Sequence, residues 1–131
     1  MPKFVAGDDV YVGGVKLSSD LVIGATTAPV MGTLQQEATN KIFRFVYSKP
    51  VFKYVVVEAT FKAAFTLATN GTTFAALAAA DTVSIDGKIV TVTFNVALAG
   101  ATNKIKIGAA ALQDIFGNVN ALYTTSTITL L

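Results

Sequence analysis

Residues 82–98, TVSIDGKIVTVTFNVAL, say most about the fold of this chain. The pieces TVSI and KIVTVTFNVAL are rich in β-branched residues, which favour strands. Between them stands Asp86-Gly87, a dipeptide typical of tight hairpin turns because both residues tolerate a positive φ angle. The stretch therefore predicts a β-hairpin that turns at Asp86-Gly87.

A period of two residues continues outward from this hairpin. In KIFRFVYS (41–48), Phe43, Phe45 and Tyr47 share one face, as in a strand that lines a core. NKIKIG (103–108) alternates Lys outward with Ile inward. Further strands are predicted in YVVVEATF (54–61), KAAFTLAT (62–69) and LYTTSTITL (122–130). About seven short strands separated by turn signals predict an all-β sandwich.

Two stretches contain good helix formers, FAALAAAD (74–81) and AAALQDIFG (109–117). Each predicts at most a turn or two of helix, which is too short to be stable alone. Asn70-Gly71 predicts another turn after the strand at 62–69. With Thr72 it also forms an N-glycosylation sequon, but the turn explains the same residues and is preferred.

The alternation predicts which side chains fill the core. They are Phe43, Phe45, Ile89, Val92, Phe94, Ile105, Ile107, Phe116 and Ile128. Strict alternation places Ile89 opposite Val92 and Phe94, so we expect a bulge that breaks it.

The composition excludes several classes of function. The 131 residues include no His and no Cys, which rules out Ser-His-Asp catalysis, thiol catalysis and Cys-ligated zinc. The ten Lys and Arg residues are scattered, unlike the clustered basic face of nucleic-acid-binding proteins. The longest uncharged run, residues 63–80, is interrupted by Thr-Asn-Gly-Thr-Thr, so no membrane helix is expected. We predict that the chain is not an enzyme.

Only 14% of residues are charged, against roughly 25% in an average globular domain, while 53% are hydrophobic. Such a chain has little charge to keep its surface dispersed. We therefore expect part of the surface to be buried against other subunits.

Calcium is the one metal that the sequence suggests, because several acidic residues lie in predicted loops. The weak candidates are Asp8, Asp9, Asp81, Asp86 and Asp114. A simpler explanation is that each Asp binds backbone groups of its own turn. We predict no cofactor.

The segment LQDIFGNVNA (112–121) contains the clearest local motif. Asp114 and Asn118 can bind backbone groups, and Gly117 can take a positive φ angle. The intervening Ile115 and Phe116 are expected to point inward. The motif predicts a structural corner before the final strand.

The same segment resembles the D-x-x-G-N corner of bacterial Ig-like domains in surface-layer proteins and large adhesins. IFRFVYSKPV (42–51) is similar to that family's F-x-F-S-x-P-V strand, with Tyr47 in place of Phe. IDGKIVTVTF (85–94) is similar to its D-G-x-x-V-x-V hairpin, and APVMGTL (28–34) matches its first strand. The resemblance covers roughly residues 27–130. It implies an Ig-like sandwich with a structural or adhesive role and no catalytic residues.

Residues 1–26 differ from the sandwich domain predicted at 27–131. Their β-prone pieces are separated by Gly, Asp and Ser and are too short to form a core. An extended segment of this kind can add to the open edge of a sandwich, either its own or that of a neighbouring copy. The residues predicted to mediate this assembly are Val10, Tyr11, Val12, Leu21, Val22 and Ile23.

These observations predict a structural subunit that polymerises with itself by β-strand addition. The expected setting is an extracellular filament, sheath or surface layer. A virion decoration or tail subunit is the alternative, favoured by the absence of a recognisable signal peptide at the N-terminus. An adhesive or carbohydrate-binding module is a third hypothesis, which the lack of Trp disfavours.

Overall fold

Antiparallel strands dominate the computed structural model, which describes residues 11–12, 15–16 and 26–131. The described elements are β1 (Tyr11–Val12), β2 (Val15–Lys16), β3 (Met31–Gln36), β4 (Ile42–Tyr47), β5 (Phe52–Lys53), α1 (Glu58–Ala63), β6 (Phe65–Ala68), β7 (Ala75–Ala76), β8 (Thr82–Asp86), β9 (Ile89–Thr93), β10 (Lys104–Ile107), β11 (Leu112–Gln113) and β12 (Tyr123–Thr124). The predicted all-β class is confirmed. The proposed boundary at residue 26 stays a prediction.

Two four-stranded sheets make up the two layers. Their strand orders are β3-β4-β9-β8 and β12-β10-β6-β7, and every described pair is antiparallel. Strands β11 and β5 form a smaller pair, as do β1 and β2. Buried side chains of both large sheets belong to one hydrophobic cluster, so the architecture is sandwich-like.

The β8–β9 hairpin is confirmed, with its loop one residue later than predicted. Asp86 pairs with Ile89, which leaves Gly87 and Lys88 as the two loop residues. Gly87 has a φ angle of +58°, at the first loop position, where a type II′ turn requires glycine. The local sequence therefore predicted both the turn and the pairing of its strands.

The aromatic face of β4 lies in the core, as predicted. Phe43 and Phe45 are fully buried and Tyr47 is nearly so. The ring of Phe43 meets that of Phe94 edge to face, with centroids 5.7 Å apart. The predicted core residues that are buried are Phe43, Phe45, Val92, Phe94, Ile105, Ile107 and Ile128.

The predicted burial of two core residues, Ile89 and Phe116, is wrong. Strand β9 pairs regularly with β4 and buries Val90 and Val92, so Ile89 lies half-buried on the opposite face. No bulge in β9 is needed. The register shift occurs instead in β3, between residues 31 and 33.

The predicted strand at 54–61 is also wrong, because residues 58–63 form α1. Phe61 is fully buried, and its ring packs edge to face on that of Phe65 at 5.2 Å. Glu58 in the first turn and Lys62 in the last turn suit the helix dipole. A helix of six residues is unstable alone, so the burial of Phe61 in the core stabilises it.

Neither predicted helical segment is helical. Residues 75–76 form β7, which pairs with β6, and residues 112–113 form β11, which pairs with β5. The helix propensity of Ala is a weak preference that tertiary pairing overrides.

The last predicted strand is only partly regular. Tyr123–Thr124 forms β12 beside β10. Beyond it the chain keeps contact through hydrogen bonds from Thr125 N to Ile105 O at 3.0 Å and from Ile128 N to Asn103 O at 2.9 Å. The predicted turn at Asn70-Gly71 lies in a loop longer than two residues, with Gly71 at φ +79°.

Candidate functional site

The corner after β11 closes around one buried carboxylate. Asp114 is only 3% exposed. Its Oδ1 accepts hydrogen bonds from the backbone N–H groups of Phe116 and Asn118, both at 2.9 Å. The backbone of Asp114 also donates to Asn118 O at 3.0 Å and accepts from Gly117 N at 3.1 Å. The corner is thus held by the side chain and the main chain of one residue.

The second carboxylate oxygen of Asp114 is engaged by two further side chains. Asn118 Nδ2 donates to Oδ2 at 2.9 Å, and Lys49 Nζ approaches it at 3.1 Å as an ion pair. Burial raises the pKa of Asp114, but the hydrogen bonds from Asn118, Lys49 and Phe116 outweigh it, so the pKa lies below its ordinary value. The carboxylate is held in its charged form by donors from the protein.

Lys49 connects this corner to Thr27, near the start of the continuously described residues. Its Nζ donates to Thr27 O at 2.6 Å and lies 3.3 Å from Thr27 Oγ1. The side chain therefore bridges residues far apart in sequence, Thr27 and Asp114. Thr27, near the start of the continuously described residues, therefore lies beside the corner.

Asn120 organises the other side of the corner. Its Oδ1 accepts from Ala111 N and Leu112 N, each at 2.9 Å. Its Nδ2 donates to Gly108 O and Ala121 O, each at 3.0 Å. The side chain is buried and uses its full hydrogen-bonding capacity.

Sequence reasoning missed both Asn120 and Lys49. The available signal for Asn120 was a polar residue between the apolar Val119 and Ala121. Nothing local marked Lys49, whose partner Asp114 lies 65 residues away.

The described acidic residues that were considered as calcium ligands, Asp81, Asp86 and Asp114, do not form a cluster. Within the described residues, no group of three acidic side chains is placed to hold a metal. Asp81 is buried and accepts from Ala78 N and Asn95 N, both at 2.8 Å, while Asp86 is exposed at its hairpin. Asp8 and Asp9 lie outside the described residues. Asp81 and Asp114 both bind backbone groups of nearby turns.

Ile115 and Phe116 do not point inward, which corrects the prediction for both. Ile115 is 78% exposed and Phe116 is 52% exposed, because Asp114 takes the inward position of the corner. Phe52 is 49% exposed beside them. With Pro50 these three residues form what we call the apolar corner surface, and they line a pocket of about 420 Å³ together with Lys49 and Asp114.

A second pocket lies on the other side of Phe52, between β5 and the edge strand β8. It has a volume of about 380 Å³ and is lined by residues 51–53, residues 83–85 and Gly87. A hydrogen bond from Val51 N to Gly87 O, at 3.0 Å, joins its two walls at one end. We call this the β5–β8 groove. Since Phe52 lines both pockets, the groove continues into the apolar corner surface.

The exposed apolar residues extend beyond the corner. Tyr54, Val56 and Val57 are exposed in the short link between β5 and α1. Single exposed hydrophobic residues are ordinary, but contiguous groups mark contact surfaces.

Gly117→Val is expected to lower the free energy of unfolding by about 1–2 kcal/mol. Gly117 has a φ angle of +86°, and the nearest atom to an added Cβ is Gln113 Oε1 at 4.0 Å. Space is therefore available, and the cost comes from the backbone conformation. Gly117→Asn is the matched control, because Asn tolerates this region better. Urea denaturation would measure both, and equal stability of the Val variant and the wild type would contradict the expectation.

The predicted assembly residues are only partly described. Tyr11 and Val12 form β1, which pairs with β2 through Tyr11–Lys16 and Val12–Val15. Val10 and Leu21–Ile23 lie outside the described residues, so their role stays a prediction. In the described part of the chain, no helix has the length and apolar character needed to cross a membrane.

A comparison with known proteins found no match to this chain among protein-family models, curated proteins or solved structures. The likeness to bacterial Ig-like domains therefore stays a resemblance carried by short motifs. What the structure itself shows is an all-β, sandwich-like fold with an exposed apolar surface beside the Asp114 corner.

Proposed function

We propose that the chain is a structural subunit that assembles with copies of itself by β-strand addition. The resulting polymer is an extracellular filament, sheath or surface layer. The observation that carries the proposal is the apolar corner surface. Its three large side chains, Phe52, Ile115 and Phe116, are about half exposed or more. Phe52 also lies beside β8, which is an outer strand of its sheet among the described residues.

The low charge of the chain supports the same function. Exposed hydrophobic surface with few charges around it promotes association. Near the corner surface, Lys49 and Asp114 neutralise each other, and Lys53 pairs with Glu58. Little charge is left in this region to oppose the approach of a second copy.

The apolar character of the corner favours a protein partner over a sugar. Carbohydrates are bound by polar groups as well as by aromatic faces, because their hydroxyls must be hydrogen-bonded. Phe52, Ile115 and Phe116 offer no side-chain hydrogen bonds. Asp114, the nearest carboxylate, is already engaged by the corner and by Lys49.

The double variant Ile115→Ser and Phe116→Ser is expected to prevent assembly. Both side chains are exposed, so the variant should fold with a stability within about 1 kcal/mol of the wild type. Analytical ultracentrifugation over a concentration series, together with negative-stain microscopy, would show polymers of the wild type and monomers of the variant. The proposal predicts this difference at every concentration at which the wild type polymerises.

Val96→Ser is the matched control, because Val96 is also well exposed but does not line the corner pocket. It should polymerise like the wild type. A wild-type chain that stays monomeric at all concentrations would refute the proposal, as would a double variant that polymerises normally.

A further inference from the structure

We propose that the β5–β8 groove binds residues 21–23 of a second copy as an antiparallel strand added to β8. This inference rests on the proposed self-assembly and names the contact that drives it. It follows from the edge of β8, which no other described strand pairs with, from the groove beside it, from the apolar pattern of the extension and from the position of Thr27.

Among the described strands, β8 is the outer strand of its sheet, with backbone groups directed away from its neighbour. Asp86 and Ile89 flank a two-residue loop, so they form a hydrogen-bonded pair. The alternation of an antiparallel ladder then directs the N–H and C=O groups of Val83 and Ile85 away from β9. Among the described residues, no backbone hydrogen bond reaches this outer side of β8. An added strand would satisfy these groups.

The outer side of β8 faces the β5–β8 groove, which is largely apolar. Val83 and Ile85 line the groove on one side, and Phe52 lines it on the other. The groove is closed at the Gly87 end, where Val51 is bonded, and it runs along β8 toward Thr82. A strand laid in it would make main-chain bonds to β8 and bury its inner side chains against Phe52.

Of the segments in the extension, residues 21–23 fit the β5–β8 groove best. Tyr11–Val12 and Val15–Lys16 already pair with each other as β1 and β2. Two apolar runs remain, Phe4-Val5-Ala6 and Leu21-Val22-Ile23, and only the second consists entirely of large aliphatic residues. In a strand, Leu21 and Ile23 share one face, whereas Val22 shares the other with Asp20 and Gly24. The first face suits the interior of the groove and the second suits its exterior.

For a strand that runs antiparallel to β8, a donor from another copy fits better than a donor from the same chain. With Val22 opposite Ser84, Gly24 lies level with Thr82, about 14 Å along the strand from Asp86. Thr27 is bound by Lys49, which lies two residues before Val51, and Val51 N donates to Gly87 O at the opposite end. The three steps from Gly24 to Thr27 span at most about 10 Å. This span is shorter than the distance from Thr82 to Asp86, which favours a donor from another copy.

Each copy then gives one strand and receives another. Donor and acceptor are different surfaces, so the contact is heterologous and extends from copy to copy into a filament. The apolar corner surface adjoins the groove through Phe52 and is covered by the same neighbour.

Disulfide cross-linking tests the register directly, because the chain contains no Cys. Ser84 is exposed and would face the added strand at a non-hydrogen-bonded position, where opposing side chains are closest. Full-length Val22→Cys and Ser84→Cys proteins would be mixed and oxidised, and the linked peptides identified by mass spectrometry. We expect the Val22–Ser84 link between copies.

Two pairings serve as controls. Leu21→Cys mixed with Ser84→Cys should give several-fold less product, because residue 21 faces the groove interior. Val22→Cys mixed with Thr33→Cys should give little product, since Thr33 is exposed on β3 at the opposite edge of the sheet. A chain carrying both Val22→Cys and Ser84→Cys should not cross-link internally at high dilution.

The outcomes separate this inference from the proposed function. If the wild type polymerises but no Val22–Ser84 link forms, or Leu21 links equally well, the groove assignment is overturned and self-assembly stands. A link that forms only within one chain at high dilution overturns the exchange between copies. If the wild type never assembles, both proposals fail.

Discussion

Asn120→Ala is expected to lower the free energy of unfolding by about 3–4 kcal/mol. The substitution leaves the buried N–H groups of Ala111 and Leu112 without their acceptor and removes the donor to Gly108 O. An unsatisfied buried backbone group costs about 1–3 kcal/mol, and the losses at one site overlap. The midpoint of urea denaturation would measure the change.

Asn95→Ala is the matched control for Asn120. The side chain of Asn95 is exposed, so its removal should change stability by no more than about 0.5 kcal/mol. If the two variants unfold at the same urea concentration, Asn120 does not hold the corner as described.

Phe45→Ala is expected to cost about 3–5 kcal/mol, the largest effect of a single core substitution here. Phe45 is fully buried at the centre of β4, where it pairs with Leu34 on one side and Val90 on the other. Truncation to Ala removes a large buried ring and leaves a cavity between the two sheets. Thermal and urea denaturation at low protein concentration would measure the loss.

Phe116→Ala is the control that distinguishes buried from exposed aromatic residues. Because Phe116 is 52% exposed, its loss should change the stability of the monomer by no more than about 1 kcal/mol. A cost equal to that of Phe45→Ala would mean that Phe116 lies in the core, as the corner motif predicted.

The features that the sequence predicted correctly depend on short-range rules. The alternation in β4 places Phe43 and Phe45 on one face whatever surrounds them, because successive side chains in a strand point to opposite sides. The β8–β9 hairpin follows from Gly87 at a loop position that needs a positive φ angle. Both depend on residues within a few positions of each other.

The surface that we propose for assembly did not follow from such rules. Ile115 and Phe116 were expected inside the protein, because a run of apolar residues usually marks a core. Their exposure depends on Asp114, whose buried position is stabilised by Lys49 from 65 residues away. No local pattern records that contact.

The sequence by itself determined the all-β class, the main hairpin and most of the core, since these depend on the two-residue period and on turn chemistry. Only the tertiary structure decided that residues 58–63 form a helix, because the burial of Phe61 beside Phe65 outweighs strand propensity. It also decided which apolar residues stay outside. Whether a side chain is buried depends on how all side chains pack together in one core. Long-range hydrogen bonds and ion pairs determine which polar side chains can be buried there.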